Sequence, residues 1–230
     1  MRILLIPILL TLHSLSDTYI HNSTITNSTI GSNISIKQGS GVLSTKHIVP
    51  RERFNKIDIE IPADVVIQQS LQKAITLKME KDFIDNVSFK VSNHTLNITT
   101  KGNINSNSKI DITISTEQLN ALVVSSTANV TVEGFDSKSF ELSTSGTSKV
   151  TFLSGDIESL SLESRGTSRI DLEQIRVKRA KIVSGGTSQT KIDVSDNLTV
   201  RLSGISKVRY SGNPQVNQKL SGLGKLIKTR

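Results

Sequence analysis

The sequence predicts an all-β protein, a single-chain parallel β-helix with coils of about 18–20 residues in its C-terminal half. Three observations carry that expectation. First, one short phrase recurs six times: Ser125-Ser126-Thr127-Ala128-Asn129-Val130, Ser145-Gly146-Thr147-Ser148-Lys149-Val150, Arg165-Gly166-Thr167-Ser168-Arg169-Ile170, Gly185-Gly186-Thr187-Ser188-Gln189-Thr190, Ser203-Gly204-Ile205-Ser206-Lys207-Val208 and Ser221-Gly222-Leu223-Gly224-Lys225-Leu226. Second, small or apolar residues occupy the even offsets from its second residue, as in Leu142, Leu162, Ile182 and Val200 four before it and Val150, Ile170 and Val208 four after it. Period 2 belongs to strands with one dry and one wet face, and it excludes a helical solenoid. Third, the steps between copies are 20, 20, 20, 18 and 18 residues, so the shortening preserves parity and keeps the buried set inside.

The elements follow in chain order. Arg2 precedes an apolar run from Ile3 to Leu12, and Ser14-Leu15-Ser16 offers small residues before Asp17. That layout predicts a cleaved secretory signal over residues 1–16, too short for a stable span. No cysteine follows it, which excludes lipoprotein anchoring. Residues 17–41 read as an Asn/Ser/Thr-rich leader with some strand character. Residues 42–118 carry strand patterns without a clean repeat, such as Ile57-Asp58-Ile59-Glu60-Ile61, Val87-Ser88-Phe89-Lys90-Val91 and Ile110-Asp111-Ile112-Thr113-Ile114, and predict irregular parallel coils. Residues 119–230 form the regular repeats, with large residues at the flanks of each coil and Gly and Ser at a pinched centre. In the last segment Lys219, Lys225, Lys228 and Arg230 would discourage end-to-end stacking, so a monomer or weak oligomer is expected.

The small residues two after the repeated glycine include Ser148, Ser168, Ser188 and Ser206. They are expected to stack in register, each bonded to a neighbouring hydroxyl or a turn carbonyl. A nucleophilic serine is disfavoured, because no histidine lies in the repeat half to activate it. The four histidines are His13, His21, His47 and His94, without ligand spacing, and there is no cysteine; neither a metal site nor a cofactor is expected.

Charge is uneven. The chain carries +8 overall, yet residues 165–230 hold 14 Lys or Arg against 4 Asp or Glu. A basic face on an exported protein suits anionic polysaccharide or a membrane surface. Arg169, Lys178, Arg179 and Lys207 are the candidate contacts. Specific nucleic-acid recognition is disfavoured, since interleaved aromatics are missing. Solenoids of this kind can also carry paired carboxylates. Glu173 and Asp193, seven residues after the repeated glycine, are expected to stack in adjacent coils with Asp171 on the same face, a spacing suited to glycoside hydrolysis or lysis. Arg169 and Lys191 alternate with them, which favours a charge-balanced surface over a catalytic one.

From Gly39 onward the chain resembles the bacterial "putative auto-transporter adhesin, head GIN domain" family. The resemblance rests on the opening Gly39-Ser40-Gly41-Val42-Leu43-Ser44-Thr45 with Phe54-Asn55-Lys56-Ile57-Asp58-Ile59, on the repeated Ser-Gly-x-Ser-x-Val phrases, and on the close Tyr210-Ser211-Gly212-Asn213-Pro214 followed by Ser221-Gly222-Leu223-Gly224. Where that family usually has Gly, an apolar residue, Asn or Asp, then Val, this chain has Pro62-Ala63-Asp64-Val65. The resemblance implies an exported parallel β-helix and carries over no functional residues. The expected function is a non-enzymatic binding or adhesion module of the cell envelope, located in the periplasm, on the outer surface or outside the cell. The alternative is a carbohydrate-active enzyme using the Glu173/Asp193 face.

Overall fold

The computed structural model describes residues 39–229, apart from Asn103 and Asn107. The expected signal and nearly all of the leader lie outside them. The described chain is a β-solenoid of about five turns, with strands over most of its length and one short 3-10 helix, Lys81–Asn86.

Each regular coil has two strands joined at the repeated turn. The first face stacks β8 (Ala121–Val124), β10 (Ser137–Thr144), β12 (Asp156–Ser164), the second half of β13 (Thr167–Ser184), the second half of β14 (Thr187–Leu202) and β16 (Gln215–Leu220), all parallel. The second face stacks β9 (Ala128–Glu133), β11 (Thr147–Phe152), the first halves of β13 and β14, β15 (Lys207–Ser211) and β17 (Lys225–Lys228), again parallel. Along the second face burial alternates: Ser168, Ile170 and Leu172 are buried, whereas Thr167 and Arg169 are exposed. Phe140 of the first face meets Phe152 of the second edge to face, with ring centroids 5.3 Å apart. The two inner faces therefore close directly on each other, and the interior of the coil is packed core.

The turns stack as expected. A Cβ on Gly186 would lie 2.5 Å from the Gly166 carbonyl oxygen, and one on Gly204 would lie 2.6 Å from that of Gly186. Backbone donors use the same carbonyls, with Thr187 N donating to Gly166 O at 2.9 Å and Ile205 N to Gly186 O at 2.8 Å. From Gly146 to Gly222 the column leaves no room for a side chain.

Most of the buried hydroxyls have the expected kinds of partner, a neighbouring hydroxyl or a turn carbonyl. Ser164 Oγ lies 2.5 Å from Ser168 Oγ, and Ser184 bonds Ser188, so the partner sits four residues back across the same turn. Thr144 Oγ1 donates to Ser164 Oγ at 3.0 Å and links two coils. Ser206 Oγ donates to the Ser203 carbonyl at 2.7 Å. Ser148 Oγ is buried with no hydrogen-bond partner among the described residues. The seam is thus built from two columns of small polar residues, of which the repeated phrase contains one.

The irregular half has a topological cause. Strand β2 (Lys56–Ile59) lies between β6 (Thr95–Thr100) and β8, and β3 (Asp64–Gln69) lies between β7 (Asp111–Thr116) and β9. The chain lays down the β2–β3 coil, runs outward to build β6–β7 on one side, then returns to build β8–β9 on the other. Neighbouring coils here are not neighbours in sequence. At the outer end the pairing departs from the expected all-parallel order. Strand β4 (Ala74–Glu80) runs antiparallel to β1 (Leu43–Ile48) and to β7, and β5 (Val87–Ser92) runs antiparallel to β6. A two-residue turn at Asn93-His94, both with positive φ, makes the β5–β6 hairpin.

This topology assigns the Pro62-Ala63-Asp64-Val65 departure. Asp64 pairs with Asn129 and Val65 with Val130. The segment Ile61-Pro62-Ala63-Asp64-Val65 is therefore a further copy of the repeated turn, stacked on Ser126-Thr127-Ala128-Asn129-Val130. Ser126 Oγ donates to the Ile61 carbonyl at 2.7 Å and closes the junction.

Candidate functional site

The packed interior places any ligand on the outside, where strand register turns sequence offsets into rows. The third residue after each repeated turn centre forms one outward row: Asp64, Asn129, Lys149, Arg169, Gln189, Lys207 and finally Lys225. Neighbours along it are spaced by the interstrand distance, roughly 4.8 Å. Beside it runs a row of exposed threonines, Thr127, Thr147, Thr167 and Thr187, continued by Ile205. Both rows line a groove of about 1130 Å³ along the stacked turns. The turn from β6 to β7 is longer than its counterparts, and its residues Ile104, Ser106 and Ser108 wall the groove at one end.

The two ends differ electrostatically. At the walled end Asp64 is neutralised: Lys109 Nζ lies 2.9 Å from its Oδ2 and Asn129 donates to its Oδ1 at 2.6 Å. The hydrogen bonds from Asn129 and Lys109 hold the Asp64 carboxyl below its ordinary value, and the same ion pair raises Lys109. Farther along, Lys149, Arg169 and Lys207 have no carboxylate within ion-pair distance among the described residues. Adjacent like charges without counterions repel, and the row carries that repulsion unrelieved by any carboxylate of the described residues.

The four candidate cations separate into two groups. Arg169 and Lys207 line the groove. Lys178 lies at the opposite corner of the coil, 4.0 Å from Glu158, and Arg179 donates to Ser159 Oγ at 3.0 and 3.2 Å. Sequence reasoning left Lys149 out of the candidate contacts and did not single out the threonine row, although both sit at fixed offsets in the repeated phrase.

The carboxylate pair does not assemble as expected. Register holds at Leu172 with Ile192, but the next pair is Arg176 with Asp193. The shortening from 20 to 18 falls at this corner, where three residues are lost and one is regained before Arg179 pairs with Asn197. Glu173 therefore has no register partner in the next coil. Lys191 Nζ holds Glu173 Oε2 at 2.8 Å and lies 3.9 Å from Asp171 Oδ2. Those carboxylates raise the Lys191 amine, Glu173 contributing most. Asp193 Oδ1 instead accepts from Ser211 Oγ at 2.8 Å. No group of three or more His, Cys, Asp or Glu suited to holding a metal occurs among the described residues.

The family described as "Putative auto-transporter adhesin, head GIN domain" matches residues 53–214, through the irregular coils and most of the repeats. The chain belongs to this family. Solved structures share the fold of this chain. A putative adhesin from Bacteroides fragilis is 18% identical with a TM-score of 0.72, over 84% of this chain and 100% of that one. A putative adhesin from Parabacteroides merdae is 18% identical with a TM-score of 0.58, over 84% and 99%. A protein from Parabacteroides distasonis described as a "Putative lipid binding protein" is 14% identical with a TM-score of 0.52, also over 84% and 99%. No curated protein matches the chain. Membership in this adhesin family is consistent with a surface-binding module.

Proposed function

We propose that this head GIN domain protein is an exported, non-enzymatic surface-binding module whose groove takes an extended anionic polysaccharide. The observation that carries the proposal is the in-register row of Lys149, Arg169 and Lys207, uncompensated by any carboxylate of the described residues and bordered by exposed threonine hydroxyls. A linear polyanion lying along the solenoid axis meets one cation per coil at three of four successive steps, while the threonines offer hydrogen bonds to sugar hydroxyls. The adhesin names of the family and its structural neighbours support a binding role, and the apolar run Ile3 to Leu12 supports export. The carboxylate alternative loses its geometric basis with Glu173 held by Lys191 and Asp193 set opposite Arg176.

The test compares two double reversals against dextran sulfate by isothermal calorimetry. Arg169→Glu with Lys207→Glu should weaken binding on the order of tenfold or more, given up to about 1 kcal/mol for each exposed charge pair and repulsion after reversal. Lys178→Glu with Arg179→Glu should weaken it far less. Raising the salt should weaken binding by the wild type, because exposed charges are screened beyond about 8–10 Å. Equal loss in the two variants, or retention in both, would refute the groove as the site.

A further inference from the structure

Beyond the groove, a second surface stands out at the C-terminal end of the solenoid. From Asn197 onward the sequence contains seven Lys or Arg and no Asp or Glu. Exposed aliphatic side chains gather in the same segment: Ile205 is 59% exposed, Leu223 66%, Val216 and Leu220 40% each and Ile227 37%. Strands β16 and β17 each pair on one side only. The inward rows change character here. Gln218 stands over Val200 and Lys228 over Tyr210, positions that are apolar in the preceding regular coils. A further coil stacked on this end would bury an amide and an ammonium without matching partners, so the end is built to stay unpaired with another strand.

We propose that this end docks on an anionic lipid bilayer. Lys219, Lys225 and Lys228 supply attraction to headgroups, and Leu223, stacked on the Gly204-Ile205 turn of the preceding coil, supplies the apolar surface that enters the interface. Aliphatic patches of this kind mark contact sites. A second copy docked end to end would bring two carboxylate-free, basic segments together. A polysaccharide offers no apolar phase for Leu223. Charge and apolarity together therefore select the membrane.

The chain has no tryptophan, so a single introduced one reports its own surroundings. Leu223→Trp in the full chain should show a blue-shifted emission on adding phosphatidylcholine vesicles containing phosphatidylglycerol, and no shift with phosphatidylcholine alone. Leu71→Trp, at a position 89% exposed in the β3–β4 connection, should not shift in either case. Replacing Lys219, Lys225 and Lys228 together by Gln should weaken the vesicle-induced shift of Leu223→Trp on the order of a hundredfold in lipid concentration, about fivefold per lysine. Lys178→Gln with Arg179→Gln should leave it in place. An unshifted Leu223→Trp with anionic vesicles would overturn the proposal. So would an equal shift at position 71, or a concentration-dependent shift without lipid that signals self-association.

Discussion

Replacing Gly186 by Ala probes the turn column on which the solenoid depends. Two costs add at this position. Its φ is +71°, where an L side chain costs about 1–2 kcal/mol. The new Cβ would also stand 2.5 Å from Gly166 O and 2.9 Å from Gly166 N, both backbone atoms of the coil below. Relieving that contact forces the coils apart, and overpacking typically costs about 1–3 kcal/mol. The sum is about 2–5 kcal/mol. Two neighbouring experiments separate the costs. Gly41 has a φ of +76° with nothing within 4 Å of a new Cβ, so Gly41→Ala should show the backbone cost alone. Gly185 lacks a positive φ and its Cβ would meet only Ser203 Oγ at 3.3 Å, so Gly185→Ala should stay within about 0.5 kcal/mol of wild type. Thermal melts followed by circular dichroism give the order. At about 2–4 °C per kcal/mol for a domain of this size, Gly186→Ala should fall by roughly 4–20 °C. If Gly186→Ala melts no lower than Gly41→Ala, the close stacking of turns is not what constrains the residue.

Three further outcomes are expected. Ser188→Ala should cost about 1–3 kcal/mol in urea unfolding because it strands the buried Ser184 hydroxyl, whereas Ser148→Ala should be neutral or stabilising because Ser148 Oγ has no partner to lose. Burial raises the Glu80 carboxyl, but hydrogen bonds from Ser106, Ser108 and Gly41 outweigh it and hold the group below its ordinary value of 4.5. A lowered folded value means its contribution is complete above that ordinary value and fades as pH falls through the folded one; melts against pH should show an acid limb that Glu80→Gln flattens, and an unchanged limb would contradict this. Glu173→Ala and Asp193→Ala should leave polysaccharide chain length unaltered relative to wild type in a reducing-end assay, and turnover lost in either variant would restore the enzymatic reading.

Much of this architecture was legible because a solenoid repeats its grammar. Even offsets named the core, and stacking turned Gly166, Gly186 and Gly204 into one column. Register was legible along both faces, through the steps of 18 as well as those of 20, but not at the corner between faces. Where the step shortened, counting placed Asp193 beside Glu173, but strand pairing absorbed the change at the corner and set Asp193 against Arg176. The same limit hid the Ile61-Pro62-Ala63-Asp64 turn. Its match to Ser126-Thr127-Ala128-Asn129 lies 65 residues away, because another coil is built between them in sequence but not in space. Glu80 shows a different limit. A charged residue in a strand pattern reads as exposed, yet it is 1% exposed and bonded to a loop whose approach no local pattern announces. In the groove, Arg169 and Lys207 were legible as cations at one offset, whereas Lys178 and Arg179 were grouped with them only by sequence proximity.

The most direct test of the central claim is a crystal structure of the protein with a sulfated oligosaccharide long enough to cross four coils. The ligand should lie in the groove along the solenoid axis, over Thr147, Thr167 and Thr187, with its anionic groups at Lys149, Arg169 and Lys207. A ligand bound at the Lys178 and Arg179 corner, or lying across a single coil, would contradict the account.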